Sequence, residues 1–412
     1  MKNPDEISLI RTRNGFFNRE NMTIYLDNHS TTRIDPRVLD AMMPWLTEDY
    51  GNAGSVTHEL GRRAREAVDH ARSQMALAIG AEPREVIFTS GATESINLAI
   101  IGSAMRPGRA NGHLMVGTTD HQAVLDVADH LGRNGRQVTY VDVAPQGTAC
   151  PGAIDPQMFS ELLQSDTFLV SLLLANNEIG VIHPTAVIAN VVCKSGAIVH
   201  LDCSQAIGRM PVDVDALGAD LASFSGHKFH GPKGVGALYV RRRSKAVRIE
   251  PLQYGGGQER GLRSGTLNVA AIVGMGAAAE LAVQELAEEV PRVEALRNWL
   301  WEHLNNSIEG VSLNGPPLTN SSLRLINNLN VSVSGVDGGS LLATVEASGL
   351  AISSGSACAS ASPRPSHVLR AIGLNDDAAR SSLRFGLSRF TRKEDCEKAV
   401  ERIVDGIKKI RS

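Results

Sequence analysis

The chain has 412 residues, 42% of them hydrophobic and 21% charged, and a formal net charge of −3. That length asks for a large domain plus a smaller one, and the near-neutral charge gives no basis for a surface that coats nucleic acid. Cys150, Cys193, Cys203, Cys358 and Cys396 form no CxxC pair and no ligand-like spacing, which excludes a disulfide framework and a structural zinc site and suits a reducing, cytoplasmic setting.

Residues 1–22 are polar, lack the apolar core of a signal peptide, and read as a flexible arm. No apolar run is long enough to cross a bilayer. From about Glu85 onward, short apolar runs alternate with helical patterns. Val86–Phe88 reads as a strand, Thr93–Ala104 as a helix, His113–Gly117 as a strand and Gln122–Leu131 as a helix. Gln137–Val141, Phe168–Leu173, Ala197–Leu201, Leu221–Phe224 and Val235–Val240 continue the series of strands. Continuous apolar runs suit strands buried on both faces. Their alternation with helices predicts an α/β fold with a mostly parallel, helix-wrapped sheet. The run Arg241-Arg242-Arg243, with Lys245 and Arg248, reads as a solvated strand end or a dock for an acidic partner. A long helix over Ala270–Leu286 and another starting near Pro291 mark the passage to a smaller α+β unit. That unit holds strands at Asn328–Val333 and Ser382–Phe385 and helices at Gly339–Ser348, Ser366–Ile372 and Lys393–Ile410. The expected division is an arm over 1–22, a large domain over 23–285 and a small domain over 286–412.

In such a sheet, ligands bind beyond the carboxyl ends of the strands, so the residues after each apolar run carry the information. After the first strand, Thr89-Ser90-Gly91-Ala92-Thr93-Glu94 opens a helix whose N–H groups can take a phosphate, or is simply a cap. The next strand ends at Asp120-His121, where an imidazole can stack on a flat ring or pass protons. Further strand ends present Asn176-Asn177 and then Asp202, with Gln205 close behind. An aspartate there needs a cation, either an Arg or Lys or a protonated pyridine nitrogen. Ser225-Gly226-His227-Lys228 follows the last of these strands. A lysine placed so, with an acid one strand away, is the pair by which pyridoxal-phosphate (PLP) enzymes hold their cofactor.

Together with Tyr25-Leu26-Asp27-Asn28, Ala175-Asn176-Asn177-Glu178-Ile179-Gly180, the stretch Gly255–Thr266 and Ser353-Ser354-Gly355-Ser356-Ala357-Cys358, these segments resemble the cysteine desulfurases of the NifS/IscS type, which are fold-type I PLP enzymes. The likeness runs from about Tyr25 to the last helix. It implies that Lys228 bonds to PLP, Asp202 pairs with the ring nitrogen, and His121 stacks on the ring and shuttles a proton. Gln205 and Asn177 lie near the ring hydroxyl, Asn177 also near the substrate carboxylate. Ala92, Thr93, Ser225 and His227 hold the phosphate, and Thr266 reaches the phosphate of the partner subunit in a homodimer. Arg384 binds the carboxylate of L-cysteine. Cys358, among serines and glycine that cannot pack as an apolar core, is read as the nucleophile on a mobile exposed loop. It takes the sulfur as a persulfide and passes it to an iron–sulfur scaffold or another acceptor protein. No intrinsic metal is implied, although Cys358 can transiently ligate a cluster with a scaffold.

A selenocysteine lyase, a sulfinate-active relative, an aminotransferase and a non-catalytic sulfur carrier are the competing readings. Asp27-Asn28-His29-Ser30 departs from the Asn-Ala or Ser-Ala pair usual in the family. The sequence ends at Ser412, soon after the last helix, so the sulfur acceptor stays open.

Overall fold

The structure is a computed structural model that describes residues 23–108, 112–354 and 365–412. The described chain enters through β1 (Ile24–Tyr25), followed by α1 (Pro36–Met42), α2 (Pro44–Thr47) and α3 (Glu59–Ala78). Pro36 and Pro44 stand in first turns, where a missing N–H loses no intrahelical bond. His58 caps α3 by accepting from the Gly61 N–H. The sequence periodicity hardly announces α3. Its buried face is largely Gly61, Ala64, Val68, Ala71, Met75 and Ala78, regularly spaced but mostly small and only weakly apolar.

The large sheet is then laid down by β2 (Val86–Thr89), α4 (Ala92–Ala104), β3 (His113–Gly117), α5 (Gln122–Arg133) and β4 (Val138–Val141). It continues with α6 (Pro156–Leu162), β5 (Thr167–Leu173), α7 (Thr185–Cys193), β6 (Ile198–Asp202), β7 (Leu221–Ser225) and β8 (Gly236–Val240). The strand order is β2-β8-β7-β6-β5-β3-β4. All pairings are parallel except those of β8, which runs against both β2 and β7. A parallel return needs a crossover of about a dozen residues or more, and the short link 226–235 allows only a hairpin-like one. Every residue of β2, β3 and β5 to β8 is buried, whereas the edge strand β4 is mostly not. Gly236 is where β8 meets the turn after β2: a Cβ there would lie 2.6 Å from the Cα and carbonyl carbon of Gly91 and from the Phe224 oxygen.

The rest comprises α8 (Val269–Gln284), α9 (Leu286–Ser307), β9 (Val311–Leu313), β10 (Asn328–Val333) and α10 (Gly338–Ala347). It is completed by β11 (Leu350–Ala351), α11 (His367–Ala371), α12 (Asp376–Arg380), β12 (Ser382–Gly386) and α13 (Lys393–Arg411). β10 is the centre of a three-stranded antiparallel sheet between β12 and β9, and β1 pairs in parallel with β11. α9 starts at Leu286 rather than near Pro291, so the proline lies inside the helix. Its ring removes one intrahelical N–H donor without ending the helix. Apolar side chains cover both faces of the large sheet, while Ile24 and Leu26 join Leu329, Leu383, Phe385 and Ile403 in a separate C-terminal core. Among the described residues no single helix is long and apolar enough to cross a membrane.

The basic run after β8 is largely spent on acids of the same fold. Arg241 pairs with Asp215 at 2.7 Å and Asp220 at 3.5 Å, and Arg243 with Glu85 at 2.9 Å. The solvated strand end is the better of its two readings.

Candidate active site

Because β8 alone is reversed, β2, β3, β5, β6 and β7 all end at one edge of the sheet. A cavity of about 590 Å³ lies there, a size that suits a small-molecule ligand. Ala92, Thr93, His121, Asn177, Asp202, Gln205, Ser225, His227, Lys228 and Arg384 all line it. Thr266 is exposed and does not. Cys358 and residues 1–22 lie outside the described residues.

One end of the cavity is built for an anion. α4 begins at Gly91 with no side-chain cap, so its first N–H groups carry the positive end of the helix dipole without an intrahelical partner. Ser225 and His227 face the same space from the end of β7. Burial, then the positive Lys228, Lys233 and Arg209, brings the His227 imidazole down to about 4. The helix start is braced by Glu94, which accepts from the Ser90 N–H at 2.7 Å and from Arg263 Nε at 2.7 Å. The glycine- and arginine-rich segment 255–266 is thereby tied to α4.

The other end is acidic. Asp202, 3% exposed, uses one carboxylate oxygen to accept the Ser204 N–H at 3.0 Å and hydroxyl at 2.5 Å. Among the described residues no arginine or lysine pairs with Asp202, so the ion-pair alternative raised by the sequence is not what holds it. Its neighbour Asp120 is buried, and burial with the negative Asp202 raises its carboxyl to about 7, against two backbone N–H donors, Leu173 and Gly117, that favour ionisation.

Between the two ends stand the nitrogen groups. His121 caps α5, with Nδ1 accepting from the Ala123 N–H at 3.1 Å. In the neutral ring the proton therefore sits on Nε2. Lys228 closes a short turn after β7, and its Nζ donates to the carbonyl oxygens of His29 at 2.6 Å and Ser30 at 2.8 Å. Arg384 reaches over from β12. Its Nη2 donates to Asp27 Oδ1 at 2.9 Å and Ser30 Oγ at 2.8 Å, and its Nη1 to the Asn177 carbonyl at 3.2 Å.

The Aminotransferase class-V family model matches residues 24–399. The chain belongs to this family. It is 47% identical over 388 residues to the cysteine desulfurase IscS of Anaeromyxobacter dehalogenans, covering 94% of this chain and 93% of that protein. With IscS of Escherichia coli (strain K12 / DH10B) the identity is 48% over 392 residues, 95% of this chain and 94% of the other. Among solved structures, a NifS-like protein superposes with a TM-score of 0.85 at 37% identity, covering 94% of this chain and all (100%) of the other. SspA in complex with cysteine gives 0.75 at 34% identity, over 89% of this chain and 99% of that one. DndA from Streptomyces lividans gives 0.72 at 39% identity, over 88% and 99%. The resemblance read from the motifs and the fold class both hold.

This member of the Aminotransferase class-V family also places at its cavity several residues to which the motifs assign no role. Asp120 was passed over for the adjacent His121, although a buried acid at a strand end is itself a signal. His29 and Ser30, noted in the sequence only as a departure from the family pattern and given no role, follow β1, a strand too short to show in the apolar pattern. His367, which also lines the cavity, donates from Nε2 to the Asp120 carbonyl at 3.0 Å, and beside it Ser366 donates to Glu178 Oε2 at 2.5 Å. Both come from the far C-terminal unit, and no local sequence pattern links them to β3 and β5.

Proposed function

We propose that this chain is a PLP-dependent cysteine desulfurase, converting L-cysteine to L-alanine and carrying the sulfur as a persulfide on Cys358. One observation carries the reading: an uncapped helix start, a buried Asp202 that no described arginine or lysine pairs with, His121 and Lys228 converge on one cavity edge in a chain nearly half identical to IscS proteins over almost all of its length. The cavity suits PLP on the chemistry of its donors. Ala92, Thr93, Ser225 and His227 would hold the phosphate, Asp202 would meet the ring nitrogen, and His121 the ring face. When bound, PLP supplies an aldehyde carbon for an amine and a ring that draws electrons from Cα.

Lys228 anchors the cofactor and, once released, holds the Cα proton on Nζ. His121 moves a proton through Nε2, its Nδ1 being committed to the helix cap. Arg384, held by Asp27, Ser30 and Asn177, orients the substrate carboxylate, and Asn177 supports it. The Cys358 thiolate attacks the substrate Sγ. The new S–S bond leaves Cys358 at the persulfide level of oxidation, while the Cβ–S bond breaks and Cβ takes up the electron pair and a proton to become the methyl of alanine. No external oxidant is needed.

The further proposals are a homodimer in which Thr266 reaches the partner's phosphate site, a cytoplasmic location, and delivery of sulfur to an iron–sulfur scaffold or another acceptor protein. Residues 23–285 are assigned to the large unit and 286–412 to the small one, with the first residues of the large unit packing on the small one, as Ile24 and Leu26 do. SspA, a structural relative solved with cysteine, supports the choice of substrate. The test is to incubate the purified, coloured protein with L-cysteine and a reductant and measure alanine and sulfide together. Equal release from the wild type, and loss of sulfide with retained colour in Cys358→Ser, is the expected result. No release from a coloured wild-type protein would reject the substrate.

A further inference from the structure

His29 is 1% exposed, lies against the cavity, and sits in the middle of a chain of hydrogen bonds with an arginine at each end. At one end the fully buried Arg324 donates to Asn328 Oδ1 at 2.9 Å. A guanidinium can only donate, so this amide oxygen is an acceptor and the Asn328 NH₂ group faces the other way. It meets His29 Nε2 at 3.2 Å and the Glu178 carbonyl at 2.9 Å. An NH₂ group can only donate, so His29 Nε2 carries no proton.

The other end imposes the same answer. Arg209 donates to Gln205 Oε1 at 2.6 Å and to the Lys228 carbonyl at 2.8 Å. Gln205 Oε1 is therefore the acceptor for His29 Nδ1, 3.1 Å away, and Nδ1 bears the proton. The Gln205 amide nitrogen spends one hydrogen on the His29 carbonyl at 3.0 Å. Among the described residues no acceptor is paired with its second hydrogen, and Gln205 lines the cavity. The charged groups facing His29 are cations, Arg209, Arg384 and Lys228, and with burial they hold the ring neutral.

We propose that His29 is a positioning residue for the cofactor site: a neutral imidazole protonated on Nδ1, which locks the Gln205 amide so that its remaining N–H is offered to the hydroxyl oxygen of the bound ring. This rests on the PLP reading above. A donor to that oxygen stabilises its anionic form most when the neighbouring imine nitrogen has lost its proton, so it lowers the pKa of the cofactor's visible band. Removing the lock raises it.

The experiment is a pH titration of the visible band in the PLP-loaded wild type, His29→Ala and His29→Gln. Glutamine can donate to Gln205 and accept from Asn328, so it should titrate as the wild type does. His29→Ala should titrate higher by about one pH unit, the size expected for one hydrogen bond to a charged group. A folded, coloured His29→Ala protein with an unmoved band would overturn the inference alone. A wild-type protein that takes up no PLP would overturn the proposed function and this inference with it. If His29→Ala does not fold, nitrogen-15 spectra of histidine in the wild-type holoenzyme decide: a neutral His29 protonated on Nδ1 supports the lock, and any other state overturns it.

Discussion

A carboxylate at the end of a buried strand needs a positive partner, and Asp202 has only Ser204 among the described side chains. On the proposed function the balancing charge enters with the ligand, and Asp202 would then be a specificity element as well as an anchor. Lys228, by contrast, donates from Nζ to two carbonyl oxygens, those of His29 and Ser30. Lys228→Ala should yield a folded protein without the visible band after gel filtration and with at least about a thousandfold lower turnover of cysteine. Absorption spectra and alanine release check both parts.

At the scale of elements, the site depends on braces that never reach the cavity. Glu259 and Arg260 both adopt positive φ, 48° and 58°, a strained choice for residues other than glycine. Glu259 is kept there by two bonds of 2.7 Å from Arg72 of α3 and one of 2.7 Å from the Phe88 N–H in β2. Both partners are buried, so removing one leaves an uncompensated charge. Glu259→Ala should destabilise the fold by about 3–5 kcal/mol, read as a lower denaturant midpoint, with weaker cofactor retention because β2 leads into the phosphate end.

Such braces explain what could be read in advance. The strands of the large sheet and most of the cavity residues were legible because each buried strand delivers polar residues to one edge. α3 was not, since its contact face is mostly alanine and glycine with only Val68 and Met75 as larger apolar residues, and the direction of β8 was not, since an apolar run carries no polarity. His29 escaped because its partners Gln205 and Asn328 are far away in sequence and only the folded chain brings them together.

At the scale of the whole molecule, buried histidines set the response to acid. Buried His183, His200 and His230 and half-buried His227 are each lowered to about 4, chiefly by desolvation. Groups whose folded pKa is depressed bind more protons when unfolded, so stability is full above about 6.5 and drains as pH falls toward 4. Asp120, raised to about 7, acts in the opposite sense, its contribution being lost as pH rises from about 4 to 7. Four groups outweigh one. Denaturant midpoints measured between pH 7.5 and 4.5 should fall steeply with acidification, and a flat profile would contradict this assignment of neutral buried rings.

The contact between Gly236 and Gly91 has a further consequence. Gly236 does not line the cavity, yet any side chain there must displace the turn that starts α4. In a saturation screen scored by growth on sulfur transfer, it would behave like a reacting residue, and its intolerance would follow side-chain bulk rather than charge. The absence of one Cβ at position 236 would then be as much a requirement of activity as any reacting group.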